Sequence, residues 1–297
     1  MIYQLYCLKF EYVMMHLLFT KLSGAGNDFI LFDKKINPEL ELNSTLIAKI
    51  CNRRTGIGAD GVLVISNDDR TAFGMHYFNA DGTSGSLCAN GARCALKYAM
   101  ESGMIGLEKV SFTANDILYS GQVLSDKIVK FYLNEPKELK TKFKIKAANQ
   151  LITASYLDTG SPHVVIKIED VLSNPSHPNA CYSDLDQFPV YEIGREIRYS
   201  KDFEPKGTNV NFVSIAENVI RIRSYERGVE DETLSCGTGA VAAALITYFN
   251  ERVEPPVKLL AKSGDVLVVD FKISNNKVQD LSLTGPAEII FKGELLI

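Results

Sequence analysis

The chain has 297 residues, 46% of them hydrophobic and 23% charged, with a formal net charge of −4; this is the profile of an ordinary globular protein with room for one large domain or two smaller ones. The acidic balance and the lack of a basic stripe argue against a nucleic-acid partner, and no apolar stretch reaches the length of a membrane span. Six cysteines without a CxxC pair, and His16, His76, His163 and His177 scattered along the chain, offer neither zinc spacing nor a secreted disulfide framework, so no metal is expected and a reduced, cytoplasmic setting fits.

The opening run MIYQLYCLKFEYVMM is apolar, but Lys9 and Glu11 interrupt it and no small-residue cleavage site follows. Residues 1–14 are therefore expected to be an extension ahead of a fold that begins near Met15, not a targeting segment. HLLFTKLSGAGNDFILFD reads as two strands about a glycine turn. Asn43 and Ser44 offer a helix cap before TLIAKICNRR, and GIGADGVLVIS returns to a strand. TAFGMHYFNADGTSGSLCANGARCALKYAMESGMIG then repeats the order strand, polar loop, helix, with Gly103 and Gly106 past the helix end. From KVSFTAND to VKFYLNEP the pattern alternates as strands do, and Glu135-Pro136 breaks it.

KELKTKFKIK, at 137–146, alternates lysine with apolar residues and reads as a solvated strand edge. LITASYLDTGSPHVVIKI, a Pro-rich loop, NVNFVSIAENVIRIRSYERG, a long helix after Cys236 and three closing strands complete the chain. The two principal helices are rich in Ala and Gly, which suits close packing inside strands. Each half holds several strands and one principal small-residue helix, so an α+β fold in two domains, 1–135 and 136–282, is expected, and an internal duplication fits.

Two cysteines head near-copies of one phrase, CANGARCALKYA at Cys88 and CGTGAVAAALITYF at Cys236, about half the chain apart. A helix start offers unpaired N–H groups and partial positive charge, so each is a candidate low-pKa thiol beside an anion site. Two such sites suggest two thiols around one substrate. Inverting a carbon next to a carboxylate requires a base on one face and an acid on the other, and a thiolate paired with a thiol supplies both. Free cysteine is as often a small buried hydrophobe, and Cys7, Cys51, Cys94 and Cys181 read that way.

The segments SGAGNDF, NRRTGIGAD, NADGTSGSLCANGARC, GSPHVV, GTNVNFV and YERGVEDETLSCGTGA, in that order, resemble the diaminopimelate epimerase family from about Thr20 to Ala240. The resemblance implies a cofactor-independent epimerase that interconverts L,L- and meso-diaminopimelate in lysine biosynthesis, and a fold of two similar domains, each a curved, barrel-like β-structure around a central helix, with the site in the cleft between them and the last strand, within 283–297, returning to the first domain. Carried over by motif, Cys88 and Cys236 are the acid/base pair, and the backbone of Ala89-Asn90 and Gly237-Thr238 receives the reacting carboxylate. Asn27, Asn79 and Asn209 become substrate-contacting amides, Arg227 holds the distal carboxylate, Glu226 attracts an ammonium and influences the nearby thiol, and His163 tunes the pair. Asp81 is expected to order the loop into the helix. A homodimer is allowed for.

Three positions depart from the family pattern. Ala89 replaces a commoner glycine, Gly61 stands where many members have glutamine, and Ser161 where many have asparagine. Alternatives stay open: a proline or hydroxyproline racemase, against which Asn90 and the Glu226-Arg227 pair argue; a phenazine-type isomerase of the same fold; a thiol-redox protein; or a non-catalytic amino-acid-binding protein.

Overall fold

A computed structural model describes residues 16–85, 87–177, 179–216, 219–275 and 277–297. The expectations for residues 1–14 and for Cys7 lie outside the described residues. The first stretch of chain runs β1 (His16–Gly24), β2 (Asn27–Asp33), α1 (Ser44–Cys51), β3 (Gly61–Ser66), β4 (Gly74–Asn79), α2 (Ala89–Glu101), β5 (Val110–Ala114), β6 (Ile117–Val123) and β7 (Ile128–Tyr132). The second runs β8 (Lys137–Ala147), β9 (Gln150–Asp158), β10 (Pro162–Lys167), α3 (Val190–Arg198), β11 (Asn209–Ala216), β12 (Val219–Glu226), β13 (Asp231–Thr233), α4 (Gly237–Glu251), β14 (Val257–Leu260), β15 (Val266–Ser274), β16 (Lys277–Pro286) and β17 (Glu288–Leu296). The fold is β-rich α+β.

Local chemistry sets these boundaries. Ala25 and Gly26, with φ of 58° and 85°, form the two-residue turn that twists β1 onto β2. The Asn43 side chain accepts from Leu46 N at 2.9 Å and caps α1, a contact worth about 1 kcal/mol. Asp81 accepts from Thr83 N at 2.9 Å and from its hydroxyl at 2.7 Å, which orders the loop ahead of α2.

Strand pairing follows one pattern twice. β1–β2 is antiparallel, β2–β3 parallel, β3–β4 antiparallel, β4–β5 parallel, and β5, β6 and β7 antiparallel. β9–β10, β10–β11, β11–β12, β12–β14 and then β14, β15 and β16 repeat the same senses in the same order. Parallel neighbours require a crossover. In each repeat the first crossover carries a helix, α1 or α3, and the second carries α2 or α4. β17 flanks β1, β8 flanks β9, and β7 pairs with β16 to join the two series.

α2 and α4 are buried on all sides along most of their length, which their small residues permit. Leu96 of α2 lies against β6 where a Cβ on Gly121 would fall 2.1 Å from its Cδ1. Both helices belong to one apolar cluster with the inner strand faces. α1 covers a separate cluster with Phe32 and Val64, and α3 another with Phe212 and Tyr225.

Strand-like alternation did not mark α3; its signal is the burial of Val190, Ile193 and Ile197 at helical spacing. Among the described residues, no helix is long and apolar enough to cross a membrane.

Candidate active site

The repeated pairing brings the starts of α2 and α4 together. Cys88 is the N-cap residue of α2 and Cys236 that of α4, with nearly equal backbone angles, φ −111° and ψ 103° against φ −111° and ψ 105°. A Cβ built on Gly237 would meet Ala89 Cβ at 3.0 Å and Asn90 Oδ1 at 2.7 Å, so only glycine lets the helix starts abut. The first-turn N–H groups of both helices, from Ala89-Asn90 and Gly237-Thr238, have no partner within their own helix. Donors of this kind at a helix start suit an anion.

The two sulfurs differ in surroundings. Cys88 is half-buried; its Sγ accepts from Gly91 N at 3.4 Å and lies 3.8 Å from Asn27 Oδ1. Asn27 has a fixed orientation because its Nδ2 donates to Asp60 Oδ2 at 2.7 Å and its Oδ1 accepts from Asn90 Nδ2 at 3.2 Å. Asn27 therefore presents an acceptor to the Cys88 thiol. Cys236 is buried, 3.8 Å from Thr238 Oγ1 and in contact with the Glu226 carboxyl.

Burial outweighs the helix starts for both thiols. It pushes Cys88 up to about 12 and Cys236 well above the ordinary thiol value, which corrects the expectation of low-pKa thiols. Opposing it at Cys88 are the Gly91 N–H, Arg93 and the Asn90 N–H; at Cys236 the Gly239 N–H and the Thr238 hydroxyl act the same way. Burial also raises the Glu226 carboxyl to about 7, although it accepts hydrogen bonds from Thr233 and Cys236.

His163 lies on β10, fully buried. Its Nδ1 faces Asn211 Nδ2 at 3.2 Å, and the Asn211 amide is oriented by donation to Val164 O and acceptance from Ser224 Oγ. Nδ1 is thus the acceptor, so Nε2 carries the hydrogen and donates to Thr238 Oγ1 at 2.9 Å. Burial, with Arg227 adding, depresses His163 to about 3 and keeps it neutral. The Thr238 hydroxyl hydrogen is left for Cys236.

Asn209 and Arg227 form a second group. Asn209 Nδ2 donates to Ser161 Oγ and Pro162 O at 2.9 and 2.8 Å, and its Oδ1 accepts from Arg227 N at 2.9 Å. The Asn209 side chain is thus engaged with protein partners and positions Arg227. The half-buried Arg227 lines a cavity of about 750 Å³ with Tyr156, Asp158 and Lys206. Glu226 and Arg227 point apart and form no ion pair with each other. Asn79, at the end of β4, donates to Thr83 Oγ1 at 3.0 Å and faces the Gly228 turn.

Tyr77 accounts for the space at Gly61. Its ring is wedged between β3 and the loop before α2: a Cβ on Gly61 would lie 2.7 Å from Cε2, and one on Gly85 2.3 Å from Cδ1. Ser161 fills its position by accepting from Asn209. Asn211, Thr233, Asp60 and Tyr77 carried no sequence signal of their own, although Asn211 stands two residues after Asn209 on the same strand face. Cys51 and Cys94 are buried as expected; Cys181 instead is exposed, because it sits on the loop after β10 and not in a core.

Residues 19–123 and 155–290 match the family model described as diaminopimelate epimerase. The diaminopimelate epimerase of Aquifex aeolicus is 36% identical over 93% of this chain and 97% of its own length, and that of Chlorobaculum tepidum 37% identical over 93% and 100%. Among solved structures, a hydroxyproline epimerase from Agrobacterium vitis superposes with a TM-score of 0.72 at 12% identity, covering 95% of this chain and 92% of that one. A PhzF-family phenazine biosynthesis protein from Bacillus anthracis gives 0.69 at 14%, covering 96% and 100%. Those two likenesses concern the fold.

Proposed function

The chain belongs to the diaminopimelate epimerase family, and from that premise we infer that it is an isomerase interconverting L,L- and meso-diaminopimelate in lysine biosynthesis. The observation that supports this most is the abutment of two helices, each begun by a cysteine. The reacting carboxylate lies on the N–H groups of Ala89-Asn90 and Gly237-Thr238, where negative charge gained as the α-carbon loses its proton is stabilised. One sulfur, as thiolate, removes the α-proton from its face; the other, as thiol, delivers a proton to the opposite face. The cycle ends with thiol and thiolate exchanged.

Two similar domains with the site in their cleft suit this reading, since the strand pairing repeats and the helix starts meet where the repeats face each other. Glu226, at about 7, exchanges a proton with the Cys236 thiol. Arg227, in its cavity, takes the distal carboxylate, for which a planar fork is suited. Asn27 and Asn79 line the first-repeat side, and a cytoplasmic setting fits the free thiols. The test is exchange of α-hydrogen with solvent deuterium on L,L-diaminopimelate, alongside proline. Exchange with epimerisation of diaminopimelate, and its loss in Cys88→Ala and in Cys236→Ala, are expected; either alanine variant turning over at the wild-type rate would refute the two-base assignment.

A further inference from the structure

Arg93, one turn into α2, is fully buried. Its Nη2 donates to Asn90 Oδ1 at 2.9 Å, Nη1 to Ala89 O at 3.3 Å and Nε to Pro286 O at 3.4 Å. The guanidinium rests on β16, where a Cβ on Gly285 would come within 3.4 Å of it. All three acceptors are neutral oxygens, and among the described residues no carboxylate pairs with it. A buried cation without an anion is costly, and neutral acceptors alone do not require one.

Asn90 shows where that charge acts. Because its Oδ1 is held by Arg93, its Nδ2 is committed to Asn27 Oδ1 at 3.2 Å and to Ser235 O at 2.9 Å. Asn27 faces the Cys88 sulfur, and Ser235 precedes Cys236. One side chain thus ties the first cysteine's neighbour to the second cysteine's loop, and Arg93 sets its orientation.

We propose that Arg93 is the positioning residue and buried counter-charge of the reaction centre: it locks Asn90 across the two helix starts and stabilises the Cys88 thiolate through the first turn of α2. The proposal rests on the two-thiol reading. The titratable groups near Cys88 are Arg93 and Cys94 on its own helix, Tyr77 from β4, Glu226 from β12 and Cys236 from the start of α4; those near Arg93 are Cys94, Cys88 and Asp265, the last of which acts on it through space without a hydrogen bond or ion pair. Of these, Arg93 is the cation.

The experiment is peptide-resolved alkylation of the intact protein by iodoacetamide between pH 6 and 10, where the Cys88 rate is proportional to its small thiolate fraction and a one-unit rise in its midpoint slows that rate about 10-fold, with kcat/KM on diaminopimelate measured over the same range. Arg93→Met is expected to raise the midpoint for Cys88 by about one pH unit and to lower kcat/KM by about 100-fold. Arg93→Gln, which still donates to Asn90, should raise the midpoint equally with a smaller rate loss. Arg93→Lys should keep the wild-type midpoint and recover part of the rate. A residue that only filled space would leave the midpoint in place in every folded variant, and that result overturns the proposal. If neither neutral variant folds, Arg93→Lys decides alone: a midpoint displaced by about a unit despite the retained charge overturns it. Alkylation needs no substrate, so failure of the diaminopimelate reading would appear in the turnover arm only.

Discussion

His163 Nε2 lies 2.9 Å from Thr238 Oγ1, and that hydroxyl lies 3.8 Å from the Cys236 sulfur. With Asn211 holding Nδ1 as the acceptor, the hydrogens run one way, from imidazole to hydroxyl to sulfur. The histidine reaches the thiol through the threonine and stays neutral.

Thr238→Val keeps the shape of the side chain and removes the donor. The Cys236 thiolate then loses a hydrogen bond, so Cys236 should be alkylated more slowly at pH 9 and kcat should fall about 10-fold, with KM changed less. His163→Gln should fall between the variant and the wild type. A Thr238→Val enzyme with unchanged kcat and an unchanged Cys236 alkylation rate would refute the relay.

The same histidine sets a stability response to acid. Its folded pKa, about 3, lies below the unfolded value near 6.5, so the unfolded chain binds the extra proton as pH falls. The native state keeps its full stability above about pH 6.5 and loses it progressively toward pH 3. Between pH 6.5 and 5 the loss is about 2 kcal/mol from this group. His163→Gln should show a correspondingly shallower fall in Tm over that interval; equal slopes in the two proteins would count against a neutral buried imidazole.

Glu226 works in the opposite sense. Its folded pKa of about 7 is raised above the ordinary carboxylate value, so the folded state holds a proton that the unfolded chain has released, and stability falls as pH rises from about 4.5 to 7. Glu226→Gln should raise Tm at pH 8 relative to the wild type while lowering kcat by about 100-fold. Thermal melts at pH 5 and pH 8 check the first part. A variant no more stable at pH 8 than the wild type would contradict the buried carboxylate.

A glutamine at Gly61 should find no room. The new side chain would meet the Tyr77 ring and Phe78 O, 2.7 and 2.6 Å from its Cβ, costing about 1–3 kcal/mol through overpacking. Tyr77→Ala alone leaves a hole, but combined with Gly61→Gln it should recover part of the lost stability. Chemical denaturation of the two single variants and the double variant measures the coupling, and strict additivity would show that the two positions do not share space.

The sequence alone determined the elements whose signals are local. Ala25-Gly26 between two alternating runs could only be a tight turn. Asn43 ahead of an apolar helix pattern made a cap. The two cysteine phrases, each before a small-residue helix, marked the two N-caps, because a helix start is written in its local pattern; the two-base reading came with the family resemblance.

What needed the tertiary structure was everything set by burial or by orientation between distant residues. A thiol at a helix start is acidic in water and weakly acidic when enclosed, so the direction of the Cys88 and Cys236 shifts was decided by packing. The polarity of Asn27, Asn90 and His163 depends on partners far away in sequence, namely Asp60, Ser235 and Asn211. An amide or imidazole in a sequence has two faces, and only its neighbours in space choose which one meets the sulfur.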